Sequence, residues 1–195
     1  MRPRFVLFAA IFYGLLTASA ALWAALRGFD LRLVGDSLAL SVALGAATAV
    51  VTVSLGLLAY RLVPALRQIA GELAPRLVDG ADRGSLILIS VFSGVGEETF
   101  FRGAVQQEFG IVVASLLFGL VHVGPDRRFL LWTLWAVLAG FLFGGLYDLT
   151  GGLLAPILAH AAHNAATLLL WKRSRKGVRE RDPHERAGSY QEPEG

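Results

Sequence analysis

The sequence predicts an all-α, polytopic membrane protein, on three observations. Just over half of the 195 residues are apolar (55%) and only 17% are charged. Mean hydropathy is +0.58. The charges are crowded into short stretches, leaving several runs of roughly 20 apolar residues, the length a helix needs to cross the hydrocarbon core of a bilayer. Cysteine is absent, which excludes a disulfide framework, a thiolate metal site and a cysteine nucleophile. The pI near 9.7 does not argue for nucleic acid, because the basic residues gather at the ends of the apolar runs and in the tail, a pattern of membrane topology.

Six transmembrane helices are expected. The first runs from Phe5 to Leu26 and the second from Ser37 to about Leu62. The third spans Leu86 to about Phe109, and the fourth Ile111 to about Val123, short for a full crossing. The fifth covers Phe129–Tyr147 and the sixth Gly152–Trp171. Arg2, Arg4 and the Ala18-Ser19-Ala20 triplet give the first run an alternative as a signal peptide, but its apolar stretch exceeds the ~7–15 residues of such a segment. Between the second and third spans, Leu62, Leu66, Ile69, Leu73 and Leu77 recur at helical spacing with Arg67, Gln68, Glu72, Arg76 and Asp79 between them. That pattern predicts an amphipathic helix along the membrane interface, with Pro75 as a candidate kink.

The loops then orient the chain. Arg2 and Arg4, the arginines at 61, 67, 76 and 83, Arg127 and Arg128, and the cluster Lys172, Arg173, Arg175 and Lys176 all fall on one side. The other side carries only Arg27 and Arg32, in a loop with Asp30 and Asp36. Positive residues stay inside, so both termini are expected in the cytoplasm, with the protein in the cell (inner) membrane. The expected organisation is a transmembrane unit over residues 1–173, with its motif-bearing core at 86–170. Residues 174–195 form a charged cytoplasmic tail too poor in apolar groups to order itself.

Ionisable residues inside a bilayer are costly and are candidates for function. Here they are Glu97, Glu98 and Arg102 in the third span, His122 in the fourth, and His160, His163 and Asn164 in the sixth. Glu98 and Arg102 are one turn apart and able to pair; so are His160 and Asn164, and Phe118 precedes His122 by the same interval. At about 1.5 Å per residue, Glu97, His122, His160 and Asn164 all lie roughly 12–18 Å from the non-cytoplasmic end. Three helices thus bring polar groups to one level. Small residues (Ser93, Gly94, Gly96, Gly103, and the alanines around His160) allow close helix approach. Gly140 and Gly144 are read as packing only, and His163 is left outside the core site.

Glu97-Glu98-Thr99-Phe100-Phe101-Arg102 resembles the EExxxR motif of the CAAX protease and bacteriocin-processing (CPBP, or Abi) family. Phe118–His122 resembles its FxxxH motif and His160–Asn164 its HxxxN motif. The resemblance covers about Leu86 to Leu170, and the first two spans carry no comparable signature. It implies a glutamate-dependent intramembrane endopeptidase acting on a membrane-associated protein or peptide. Carried onto this chain, Glu97 would activate water with help from His122. His160 and Asn164 would stabilise the oxyanion, and Glu98 and Arg102 would pair to hold the third span in register. The needs of amide hydrolysis, a base near a water and donors aimed at the developing oxyanion, fit these residue types.

Metal-free catalysis is favoured because no HExxH pair supplies two ligands from one helix. The alternative is a zinc ion held by Glu97, His122 and His160. Two other functions are open at this stage: a proton-coupled transporter subunit using the same residues as a relay, and a catalytically silent scaffold or immunity protein of the same fold.

Overall fold

The computed structural model describes residues 3–181. All regular structure among these residues is helical, in the order α1 (Pro3–Arg27), α2 (Leu38–Leu62), α3 (Pro64–Val78), α4 (Arg83–Phe100), a π-helical segment Phe101–Gln106, α5 (Gln107–Leu120), a 3-10 turn Arg127–Phe129, α6 (Leu130–Thr150) and α7 (Leu154–Arg181). Local sequence sets most boundaries. Ser37 caps α2 by accepting from the Leu40 amide, and Asp82 caps α4 by accepting from the Ser85 amide. The Ser85 hydroxyl and amide together hold the exposed Asp82 carboxyl below the usual range. Gly151, at φ +68°, ends α6 in the left-handed conformation.

Four stretches are long and apolar enough to cross a membrane: Arg4–Arg27, Leu38–Leu62, Arg83–Leu120 and Arg127–Thr150. The third is two passes. Gly110 breaks it with φ +81° and ψ 167°, and the Phe101 and Phe118 rings then meet with centroids 5.0 Å apart. In a straight helix, 17 residues would separate them by about 25 Å, so the chain reverses at Gly110. Counting α7, six helical passes result, with α3 as the additional helix. α7 is not among the four apolar stretches, because it carries the histidine and asparagine motif and a charged end.

The surface is inverted relative to a water-soluble protein. Leu15, Val50, Leu120 and Leu149 are 63–67% exposed, whereas Glu98, Arg102, Ser41 and Ser115 are sealed inside. Apolar outside and polar inside is what lipid as solvent selects.

The two ends of the bundle differ. At one, α3 lies against α7, burying Ile69, Ala70, Ala74 and Val78 with Leu66, Leu73 and Leu77 only partly covered. The buried stripe is therefore shifted toward small residues from the leucine stripe expected, because α3 packs on another helix as well as facing lipid. Arg128 ties α3 to the turn before α6 through Glu72 (2.5 Å), and Arg175 ties α7 to Asp79 (2.7 Å). At the opposite end the α1–α2 loop is stitched to the α6–α7 turn: the Asp36 amide donates to the Thr150 carbonyl (2.9 Å), and the Leu153 and Leu154 amides donate to those of Arg32 and Leu33 (3.0 and 2.9 Å).

Two boundaries differ from expectation. α5 stops at Leu120, so His122 lies in the turn after it rather than within a helix. α7 continues through the charged residues to Arg181, so the first part of the tail expected to be disordered, 174–181, is helical; lysine and arginine are good helix formers and extend a helix already nucleated by packing. The remainder of the tail, 182–195, lies outside the described residues.

Close approach of α4 and α7 depends on Gly94. A Cβ there would stand 2.9 Å from the Ala161 Cβ and 3.0 Å from its backbone nitrogen, while a Cβ at Gly14 meets nothing within 4 Å. Gly94→Ala is expected to destabilise the protein by roughly 1–3 kcal/mol, lowering its melting temperature in detergent by several degrees. Gly14→Ala should leave it unchanged or slightly raised. Equal melting temperatures for the two variants would show that α4 and α7 are not in this register.

Candidate active site

Helices α4 and α7 run antiparallel, with His160 opposite Glu98, Ala161 opposite Gly94 and Asn164 opposite Ser93. This pairing assembles the site, and it divides the polar residues into a sealed group and a partly exposed one.

The sealed group is Glu98, Arg102 and His160. Arg102 Nε lies 2.9 Å from Glu98 Oε2, both side chains being 0% exposed. The other Glu98 oxygen accepts from His160 Nδ1 at 2.6 Å. Glu98 therefore does more than brace its own helix, as expected from the i,i+4 spacing: it is shared between Arg102 and α7. The Phe118 ring completes the group, with the Arg102 guanidinium 5.0 Å above its centroid and the His160 ring edge-on at 5.9 Å. Phe143 stacks on His160 at 5.3 Å. The π-helical segment begins at Phe101, and a widened turn of this kind is common where a helix must deliver a functional side chain.

The partly exposed group is Glu97 and His122, whose side chains are 13% and 25% exposed. His122 Nδ1 donates to the Phe118 carbonyl at 2.7 Å. A carbonyl can only accept, so in the neutral ring the proton is on Nδ1 and Nε2 is left as an acceptor. That acceptor faces Glu97 Oε2 at 3.9 Å, an oxygen with no protein hydrogen-bond partner. Two acceptors at this separation are close enough to share one water molecule, although Glu97 Oε2 is itself sealed from solvent. Glu97 precedes the Gly110 reversal by 13 residues and His122 follows it by 12, so the early stop of α5 sets the two at one depth.

Asn164, one turn along α7 from His160, donates from Nδ2 to Ser93 Oγ at 3.0 Å. Its second amide hydrogen is left to point elsewhere. His163 faces away, toward α6, with its ring 6.0 Å from that of Trp135. There it contributes to an apolar cavity of about 530 Å³ between α2, α3, α6 and α7, walled by Gly56, Tyr60, Trp132, Trp135 and Trp171 among others. Among the described residues, no group of three or more histidine, aspartate or glutamate side chains is gathered closely enough to hold a metal ion, although His160 Nε2 stays open with Nδ1 bound to Glu98.

Residues that the motif reading missed also appear. Tyr13 of α1 packs on Gly96, and its phenol interacts electrostatically with the neighbouring Glu97 carboxylate. The available signal was a phenol in an otherwise apolar span, where the polar tip needs a partner. Gln106, one turn beyond Arg102, is buried and donates to Asp148 Oδ1 (2.8 Å) and the Gly144 carbonyl (3.1 Å). The 98–102–106 spacing, one polar residue per turn, was its signal.

The sealed group predicts a stability signature. Removing one member strands a buried charge, typically costing ~3–5 kcal/mol. Glu98→Gln and Arg102→Met should each lower the melting temperature in detergent substantially, and the double variant by much less than the sum of the two. Strictly additive effects would mean that the two side chains do not pair.

Residues 81–166 match a family model described as Rce1-like, type II CAAX prenyl endopeptidase Rce1-like. Among curated proteins, "Uncharacterized protein YpbD" of Bacillus subtilis (strain 168) is 33% identical over 75 residues, which are 38% of this chain and 39% of that protein. The aligned stretch thus spans well under half of that relative's length. No solved structure matches. The family match encloses Glu97, Glu98, Arg102, His122, His160 and Asn164, so the stretch that carries the candidate site is the stretch that is similar to the Rce1-like CAAX endopeptidases.

Proposed function

We propose that the protein is an intramembrane endopeptidase that hydrolyses a peptide bond of a membrane-associated protein or peptide, with Glu97 and His122 activating the water. The observation that carries this reading is a buried carboxylate oxygen without a hydrogen-bond partner, Glu97 Oε2, held 3.9 Å from the acceptor nitrogen of the partly exposed His122 ring. A water donating one hydrogen to each would turn its lone pair outward, toward a substrate carbonyl, and Glu97 would take its proton as the C–O bond forms. Tyr13 would hold the carboxylate in place.

His160 and Asn164 stand on the other side as the oxyanion stabilisers. With Nδ1–H donating to Glu98, the His160 ring can donate from Nε2 only when doubly protonated, and Glu98 is placed to balance that charge. The imidazolium and the second Asn164 amide hydrogen would then face the tetrahedral oxygen. Proton return from Glu97 to the leaving amine completes the hydrolysis. The apolar cavity beside His163 suits the membrane-buried part of a substrate, such as a lipid anchor or an apolar peptide segment. By the positive-inside rule, the end bearing Arg61, Arg83, Arg128 and Lys172 faces the cytoplasm, with both termini on that side of the cell membrane.

Comparative membrane proteomics of cells carrying wild type or Glu97→Ala tests the activity. A specific precursor should accumulate uncleaved in the variant, with protein abundance unchanged. In a purified assay on that precursor, Glu97→Ala and His122→Ala should each lose roughly 10²–10⁴-fold in kcat. Cleavage by Glu97→Ala at the wild-type rate would overturn the mechanism. Tyr13→Phe should lose about tenfold in kcat with little change in KM or melting temperature, as expected when a group that orients the base, but is not itself the base, is removed.

A further inference from the structure

The two ends of the bundle use their charges differently. At the end that holds the α1–α2 loop, the arginines have carboxylates: Arg27 meets Glu108 at 2.6 Å, and Arg32 lies 3.5 Å from Asp36 and 4.0 Å from Asp30. At the other end, a cavity of about 600 Å³ opens where the α3–α4 connection meets α7. Its walls include Val78, Leu169 and Leu170, and its rim carries Arg83, Lys172 and Arg173 together with the Arg175–Asp79 pair. Asp79 is engaged by Arg175 through two hydrogen bonds of 2.8 and 2.7 Å. Lys172 donates from its ammonium to the Ala81 carbonyl, which holds it at the mouth with two hydrogens to spare. Arg83 and Arg173 form no ion pair with another described residue.

We propose that this cavity binds an anionic phospholipid, its headgroup phosphate between Arg83, Lys172 and Arg173 and an acyl chain along Leu169, Leu170 and Val78. The occupant follows from the combination. Guanidinium groups recognise phosphate oxygens with paired donors. A soluble anion would use the rim and leave the apolar wall bare, whereas an amphiphile uses both. The depth is right as well: Trp171, beside the rim on α7, is the residue type that settles at the headgroup level. Cationic pockets between helices at this level are where acidic lipids gain more than diffuse surface attraction. The site is separate from the peptidase reading. Arg83 lies 14 residues from Glu97 along the same helix, about 21 Å away, and lipid binding would stand or fall without any cleavage.

The test uses the full chain in detergent, with phosphatidylglycerol, phosphatidylcholine and inorganic phosphate as separate additions, read by thermal unfolding and by lipid retention in native mass spectrometry. Phosphatidylglycerol should raise the melting temperature by roughly 3–6 °C and remain bound, while the other two do neither. Arg83→Gln/Arg173→Gln should lose the shift and at least tenfold in retention. Arg83→Lys/Arg173→Lys should keep part of both, which separates lost binding from lost folding. Arg4→Gln/Arg61→Gln removes the same charge from the same end outside the cavity and should behave as wild type. Equal stabilisation by phosphatidylcholine or by inorganic phosphate, an undiminished shift in the first variant, or an equal loss in the Arg4/Arg61 control would each overturn the proposal.

Discussion

The buried charge cluster of Glu98, Arg102 and His160 constrains everything around it. In a medium without water, a guanidinium and a carboxylate persist only when each finds its partner at short range. The cluster draws on α4, the π-helical segment and α7, and Phe118 brings in α5 through its ring face. None of these elements can slide by a turn without exposing a charge to lipid. Such a pair is weak evidence for net stability, since an apolar substitute of the same shape can do as well. Its effect is on register: with Glu98 bound to His160, Gly94 must meet Ala161 and Ser93 must meet Asn164, and α4 and α7 have one way to lie together.

That fixed register lets a second pair of groups stay unsatisfied. Glu97 neighbours Glu98 in the chain but points about 100° away around the helix, out of the sealed cluster and toward His122. Two adjacent carboxylates thereby acquire different environments, one held between Arg102 and His160 and the other turned toward His122. His122 can reach it because α5 ends early, and the ring's own hydrogen bond to the Phe118 carbonyl aims its lone pair inward. Phe118 thus serves both halves of the site, with its ring in the sealed group and its carbonyl in the partly exposed one, which gives the spacing of one turn between it and His122 a physical meaning.

Much of this was legible before any coordinates. The helical class, the reversal near Gly110 and the gathering of Glu97, His122, His160 and Asn164 at one level follow from apolar run lengths and from a rise of about 1.5 Å per residue. Spacing within a helix also identified the Glu98–Arg102 pair. Spacing cannot report what lies across a helix interface, and so the bond from Glu98 to His160 and the approach of Tyr13 to Glu97 were hidden. The stripe of α3 was misjudged for a related reason: leucine periodicity marks a face that prefers apolar surroundings, and lipid satisfies it as well as protein does. The face that packs on α7 is instead the one whose alanines permit close approach. The helical start of the tail was obscured because a composition that cannot nucleate a helix can still extend one.

Helix α7 shows how these constraints combine. It must present His160 and Asn164 to α4 and His163 to the α2–α6 side, so it cannot be apolar enough to hold itself in a bilayer by hydropathy. Its place depends on being covered. Glycines on the flanking helices allow this: a Cβ at Gly45 of α2 would sit 2.8 Å from the Ala155 carbonyl oxygen, as one at Gly94 of α4 would crowd Ala161. Close backbone contact on two sides replaces lipid around the polar residues, and van der Waals packing takes the role that hydropathy plays for the other spans. The pass that carries His160, His163 and Asn164 is therefore the least apolar of the six, and its neighbours carry the small residues that make this tolerable.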